Sequence, residues 1–196
     1  VHPVQSVREE GTGKFFREEI LPLSFRRDTA RWVPNYALHL IGGGATFAGL
    51  REWARAEGID EAWGGVIAGA TIMSAAFVNE TIENGGVAGR NTDAIADFWF
   101  FDVGGMLLFS VEPVRRFFSR TLIVSDWSGQ PTFTAPTGEL HGVGNYFAAK
   151  LPVPYFEDLR IFGHYGLGTM GGLSYVVGRG YSVSASFGSK VTRLSS

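Results

Sequence analysis

Four ionisable side chains lie within apolar stretches of this 196-residue chain. They are His39 in YALHLIGGGATFAGL, Glu80 at the end of AWGGVIAGATIMSAAFVNE, and Asp97 and Asp102 in DAIADFWFFDVGGMLLF. An ionisable group in apolar surroundings costs several kcal/mol unless it is paired. Each of the four is therefore a candidate site residue.

Two chemistries are open to a cluster of one imidazole and several carboxylates. A carboxylate could orient His39 as a general base for water, which makes His39, Glu80 and Asp97 the candidate catalytic residues. Alternatively, these three residues and Asp102 could bind a divalent metal ion as cofactor. The spacing matches neither HExxH nor the paired Glu-x-x-His motif of metal-binding bundles. The structural alternative is a buried hydrogen-bonded network that fixes the register of the helices.

Three helices must position these residues. The sequence pattern predicts the first over 35–57, the second from a cap at Asp60 to Gly85-Gly86, and the third from about Asp93 to Val111. Within each helix, polar residues share a face at a spacing of four, as in Asn35 and His39, Glu80 and Asn84, and Asp93 and Asp97. Gly65 and Gly69 form a small-xxx-small pair that predicts close approach of another helix.

None of the three apolar runs reaches the roughly 20 residues of a comfortable membrane span. Acids, histidine or double glycines interrupt each run. This favours a bundle that is half-sunk in a membrane or covered by a sheet, and it leaves open an inner-membrane protein of three helices. Residues 1–34 mix arginines with aromatic residues, which fits either an interfacial amphipathic arm or an arm packed on its own domain.

From residue 121 the sequence pattern changes from helical to alternating. TLIVSDW predicts a short strand, after a turn formed by Pro113 and VRRFFSR. Gly178-Arg179-Gly180 predicts a hairpin between two longer strands. In GYSVSASFGSKV apolar residues alternate with serine or glycine, a pattern typical of a barrel wall or of a soluble sheet with one wet face. Four strands are too few to close a barrel, for which about eight are needed.

The composition excludes several classes of protein. Charged residues are 18% of the chain, and glycine (27 residues) and phenylalanine (16 residues) are frequent, which is typical of membrane walls and close-packed membrane helices. The net charge of −2 and the lack of a basic stripe argue against a nucleic-acid partner. Without cysteine there is no disulfide, thiolate metal site or cysteine nucleophile.

Residues 33–118 resemble a family of uncharacterised bacterial envelope proteins. The resemblance lies in an Asn-x-x-x-His helix with small residues, an acidic second helix, and an Asp that leads to a glycine. The matched positions are Asn35, His39, Gly43, Glu80, Asp97 and Gly104. The resemblance implies a place in the outer membrane or on its periplasmic face, and it implies no particular activity.

Together these observations predict an α+β protein. A membrane-associated helical bundle of about three helices (35–118) follows an N-terminal arm (1–34) and precedes a small antiparallel β-sheet or partial β-barrel (119–196). We expect a structural or accessory component of a larger envelope assembly, with membrane lipid and either further copies or another envelope protein as partners. The alternatives are a lipid-acting hydrolase or acyltransferase that uses the His/Glu/Asp cluster, and a small pore or transporter.

Overall fold

The computed structural model of the chain describes residues 3–21, 33–84, 92–128, 132–136, 138–141, 146–166 and 168–190. The chain forms two compact units, Val1–Val111 and Glu112–Ser196. The first unit is helical and the second is dominated by a β-sheet, so the α+β class is confirmed. The boundary lies seven residues before the expected end of the helical region at 118, since 118 − 111 = 7.

The helical unit contains five helices in the residues that the structure describes, rather than about three. Several of them change from α-helical to π-helical hydrogen bonding along their length. The helices are α1 (Pro3–Glu10), α2 (Thr12–Phe15, then π-helical Phe16–Ile20), α3 (π-helical Val33–Gly43, then Gly44–Ala56), α4 (Glu61–Asn84) and α5 (Asp93–Ala96, π-helical Asp97–Asp102, then Val103–Ser110).

The three helices predicted from the sequence are α3, α4 and α5, with ends close to those expected. Gly58 follows α3 with φ +78°, a conformation that suits glycine at a helix end. The Asp60 carboxylate then accepts a hydrogen bond of 2.9 Å from the Ala62 backbone N–H. The predicted cap at Asp60 is therefore confirmed.

Part of the N-terminal arm packs within the helical unit. Phe15 is buried against Ala96 and Phe101, and the surrounding apolar side chains are Val7, Ile20, Tyr36, Leu40 and Ile95. The described residues 3–21 thus follow the packed interpretation of the arm; residues 22–32 lie outside the described part of the chain.

Glycines allow α3 and α5 to cross at close range. A Cβ on Gly105 would lie 2.5 Å from the carbonyl oxygen of Leu40, and a Cβ on Gly44 would overlap the ring of Phe109. Gly44, at the end of the Gly42-Gly43-Gly44 run, therefore serves helix packing. The prediction of a close helix approach at Gly65 and Gly69 is wrong. A Cβ at either position would make only ordinary contacts of 3.8–4.0 Å.

The second unit opens with a helix and continues as strands. Helix α6 (Glu112–Arg116, then π-helical Phe117–Thr121) is followed by β1 (Ser125–Asp126), β2 (Thr132–Thr134), β3 (Glu139–His141), β4 (Phe147–Val153), β5 (Phe156–Tyr165), β6 (Gly168–Gly178) and β7 (Tyr181–Lys190). An open antiparallel sheet of five strands has the order β1-β4-β5-β6-β7, and β2 pairs with β3 in a separate ribbon.

Helix α6 corrects two sequence predictions. The expected turn at Pro113 is helix, and of the expected strand TLIVSDW only Ser125–Asp126 is a strand, since the helix includes Thr121. Proline is well tolerated in the first turn of a helix, and the Arg116 Nε donates to Glu112 Oε1 at 2.7 Å one turn away. The predicted hairpin is confirmed, because β6 and β7 are joined by Arg179-Gly180 with Gly180 at φ +81°.

Candidate functional site

The four ionisable residues predicted from the sequence come together in the helical unit. His39 lies in the π-helical part of α3, Glu80 lies in α4, and Asp97 and Asp102 begin and end the π-helical segment of α5. A π-helix bonds residues five apart, so this segment brings Asp97 and Asp102 toward the same side. An α-helical spacing would instead have paired Asp97 with Asp93, which is the pairing that the sequence suggested.

His39 is held between the two aspartates. Its Nδ1 lies 3.1 Å from Asp102 Oδ1, within hydrogen-bonding distance, and its Nε2 lies 3.8 Å from Asp97 Oδ2. Gly43 lies beside this pair, and a Cβ there would make an ordinary contact, 3.5 Å from Asp102 Oδ1. The two ring nitrogens therefore face different carboxylates.

Glu80 completes the cluster from α4. One potential ligand atom from each of His39, Glu80 and Asp97 lies within 4.8 Å of the other two. Asp102 is not part of this set of three, and its contact is with the histidine ring. Asn35, which the spacing placed on the same helix face as His39, instead donates to the backbone carbonyl of Glu19 at 3.3 Å.

The surroundings of the cluster shift two pKa values. Burial alone lowers the pKa of His39, but the hydrogen bond to Asp102 and the charges of Asp97, Asp102 and Glu80 outweigh it and raise the pKa to about 9. Burial raises the pKa of Asp97 to about 8, and His39 offsets only part of this effect. Both shifts show that the cluster favours a positive charge on or beside the His39 ring.

Two aspartate oxygens of the cluster lack a hydrogen-bond donor within the described part of the chain. Asp97 is 6% exposed and Asp102 is 4% exposed. The two atoms are Asp97 Oδ1 and Asp102 Oδ2. Because a buried carboxylate oxygen usually has a donor or a bond to a metal ion, these atoms are positions at which a donor or a cation would fit.

A second feature is the burial pattern of the sheet. Residues that pair directly across neighbouring strands lie on the same face of a sheet, and successive residues of one strand alternate between its two faces. The strand registers therefore assign each paired residue to one face. The apolar face carries Leu151, Ile161, Leu173, Tyr175, Val183 and Phe187. The polar face carries Lys150, Arg160, Ser174, Ser182, Ser184 and Ser186.

On β6 the burial is the opposite of that in a soluble sheet with one wet face. Leu173 and Tyr175 are each 52% exposed, whereas Ser174 between them is 0% exposed and accepts a hydrogen bond from Ser184 Oγ at 3.0 Å. Lys150 on β4 donates to Ser182 Oγ on β7 at 2.6 Å, so the sheet curls toward its polar face. The alternation that the sequence predicted in β7 extends across the paired strands, and β7 itself is exposed on both faces.

Glycines allow this curl. A Cβ on Gly172, on the polar face, would lie 2.6 Å from Ser186 Cα, whereas a Cβ on Gly171, on the apolar face, would meet nothing within 4 Å. Such close backbone approach is a known role of glycine within strands. His164, a strand residue noted in the sequence, also lies on the polar face and stacks on Tyr146 with ring centroids 5.4 Å apart.

Among the described residues one helix is long and apolar enough to cross a membrane, which corrects the expectation that none of the three apolar runs reaches that length. It covers Glu61–Thr81 of α4, and a second span results only if Asp93–Ser110 and Glu112–Thr121 count together as one broken helix. A buried core helix of a soluble protein satisfies the same length and composition test.

Comparison with protein-family models, curated proteins and solved structures found no match. The resemblance to bacterial envelope proteins therefore stays a prediction.

Proposed function

We propose that the protein is a bacterial outer-membrane or envelope component that serves a structural or accessory role in a larger assembly. The observation that carries this proposal is the reversed burial of the sheet, in which Ser174 is buried and its neighbours Leu173 and Tyr175 are exposed. In water, exposing apolar side chains while burying serine is unfavourable. In lipid, the same arrangement is the favourable one.

The chemistry of the apolar face supports lipid as its environment. Across the paired registers of β5, β6 and β7 this face carries no charged residue, and one row runs Leu151, Ile161, Leu173 and Ala185 across four strands. A water-facing side of an antiparallel sheet normally carries polar and charged residues. An exposed uncharged face of this kind marks a membrane or partner contact.

Helix α4 supports the same environment. Five large apolar side chains are exposed along most of the helix: Trp63, Val66, Ile67, Phe77 and Val78. Apolar exposure on this scale is rare in a monomer surrounded by water.

The open sheet supports a role in an assembly. In the order β1-β4-β5-β6-β7, the ten-residue strand β7 is at an edge of the described sheet. An edge strand presents unpaired backbone groups that another strand can bind. Five strands cannot close on themselves, so we expect a second copy or another envelope protein to pair with this edge.

Vesicle flotation and native mass spectrometry test the two parts of the proposal. The full chain should float with vesicles of phosphatidylethanolamine and phosphatidylglycerol. Native mass spectrometry from mild detergent should detect an oligomer or a complex with a partner. A chain that stays soluble without detergent and does not float contradicts the membrane role. A monomer at all concentrations contradicts the assembly role.

A lipid-acting hydrolase or acyltransferase is the second candidate function. The hydrogen bond between His39 Nδ1 and Asp102 favours it, because a carboxylate in this position orients an imidazole as a general base. Turnover of phospholipid by the wild type and its loss in His39→Gln would support this activity. Equal turnover in both proteins, or none in the wild type, would contradict it.

A further inference from the structure

The two nitrogens of His39 have separate partners. Nδ1 is within hydrogen-bonding distance of Asp102, at 3.1 Å, whereas the 3.8 Å between Nε2 and Asp97 Oδ2 is too long for a hydrogen bond. When Nδ1–H donates to a carboxylate, Nε2 carries the lone pair and becomes a metal ligand. This is the arrangement by which a carboxylate fixes the tautomer of a metal-binding histidine.

The space around Nε2 suits one ion. Ligand atoms that each lie about 2.0–2.2 Å from zinc are at most about 4.4 Å apart. The separation of 3.8 Å between Nε2 and Asp97 Oδ2 falls within that span, and the atoms of His39, Glu80 and Asp97 all lie within 4.8 Å of one another. Small inward rotations of the carboxylates would bring all three groups onto one ion.

Asp97 supplies an independent indication of a ligand. Its side chain is only 8% exposed, and among the described residues its Oδ1 has no hydrogen-bond partner. Asp97 and Asp102 both face the single imidazole of His39. A neutral imidazole cannot offset the charges of two buried carboxylates, whereas a divalent cation bound at its Nε2 can.

We propose that His39 Nε2, Glu80 and Asp97 bind one divalent transition-metal ion such as Zn²⁺, and that Asp102 is a positioning residue that orients His39. The imidazole ligand favours such an ion over Mg²⁺ and Ca²⁺, which prefer oxygen ligands alone. Three protein ligands leave a position for water or a substrate oxygen, as in open zinc sites. This inference does not depend on the proposed place in a membrane.

Zinc titration of the metal-free full chain tests the proposal directly. We expect one Zn²⁺ per chain by elemental analysis after gel filtration, with Mg²⁺ unable to compete at equal concentration. Asp97→Asn and His39→Gln should each lose stoichiometric binding, and Asp102→Asn should keep the site with roughly 10–100-fold weaker affinity. Asp158→Asn and His164→Gln are the matched controls, and they should bind as the wild type does.

X-ray absorption on the zinc-loaded wild type keeps the proposal testable if a variant fails to fold. The expected zinc environment contains one imidazole nitrogen and otherwise oxygen. Two or more imidazoles would place the ion elsewhere among the four histidines of the chain and overturn the proposal. Absence of bound zinc, or full binding by His39→Gln and Asp97→Asn, would overturn it as well.

Discussion

The helical unit and the sheet unit both bury polar side chains beside aromatic ones such as Phe101 and Phe162, but they do so in different ways. In the helical unit the polar groups are four specific residues, drawn from three helices and held at defined distances around His39. In the sheet unit the polar face carries serines, glycines, Lys150 and Arg160 together with Phe162 and Met170, and the apolar face repeats across the strands. A site for chemistry requires side chains at defined distances, whereas contact with a surrounding medium requires only a continuous face of one character. We therefore propose that the helices hold the site and that the apolar face of the sheet contacts lipid.

The largest effect is expected at the curl of the sheet. Gly172→Ala would place a Cβ 2.6 Å from Ser186 Cα, so β6 and β7 would have to separate. We expect a loss of roughly 3 kcal/mol in the free energy of unfolding of the sheet unit, the upper end of typical overpacking. Gly171→Ala, whose Cβ meets nothing within 4 Å, should change it by less than about 0.5 kcal/mol. Denaturant unfolding in mild detergent measures both, and equal stability of the two variants would show that the polar face is not tightly curled.

A somewhat smaller effect is expected from removing the histidine of the cluster. In metal-free protein, His39→Ala leaves the buried carboxylates of Asp97 and Asp102 without their cation. Breaking a buried ion pair typically costs about 3–5 kcal/mol, and uptake of a proton by Asp97 should reduce the loss here to about 2 kcal/mol. Asp97→Asn imitates the neutral acid that burial already favours and should change stability by less than about 1 kcal/mol. Thermal unfolding followed by circular dichroism compares the two, and the opposite order of stability would contradict this account of the charges.

The helix crossing should be less sensitive than the sheet. Gly105→Ala would bring a Cβ within 2.5 Å of the Leu40 carbonyl oxygen, which destabilises the contact between α3 and α5 by about 2 kcal/mol. The higher helix propensity of alanine offsets up to about 1 kcal/mol of this destabilisation. At Gly49 nothing lies within 4 Å of the added Cβ, so Gly49→Ala should stabilise the unit by that propensity alone. Two variants that shift the melting temperature in the same direction would disprove the close crossing.

The smallest effect is expected at one side chain of the apolar face. Phe187 is 86% exposed, so Phe187→Ser should leave the fold intact and weaken vesicle binding by about tenfold. Ser186→Ala, one residue away on the polar face, should leave vesicle binding unchanged. Partition is measured by sedimentation with lipid at increasing concentration, and equal binding of both variants would argue that lipid does not cover this face.

The sequence predicted the elements whose patterns are local. Apolar runs and the Asp60 cap predicted α3, α4 and α5, and Gly178-Arg179-Gly180 predicted the last hairpin. The alternation of β7 predicted its two faces, because a strand has a period of two wherever it lies. The choice of His39, Glu80, Asp97 and Asp102 also followed from local context, since an ionisable residue in an apolar run is conspicuous by itself.

The features that the sequence missed depend on tertiary structure. The π-helical segments change the spacing from four to five, so the sequence paired Asp97 with Asp93 and predicted Asp102 as a fourth metal ligand instead of the hydrogen-bonding partner of His39. The close helix crossing lies at Gly44 and Gly105 and not at Gly65 and Gly69. Its position depends on which helices pack together, and a local glycine pattern does not contain that information. Helix α6 was missed because Pro113 suggested a turn, although proline also suits the first turn of a helix.

A pair of single cysteines on β7 tests the central claim most directly. The chain has no cysteine, so Val183→Cys on the apolar face and Ser184→Cys on the polar face can each carry one fluorescent label. In vesicles, the account predicts that the label at 183 is quenched by brominated lipid and the label at 184 is not. Equal access of aqueous iodide to both labels, with no quenching by lipid, would contradict it.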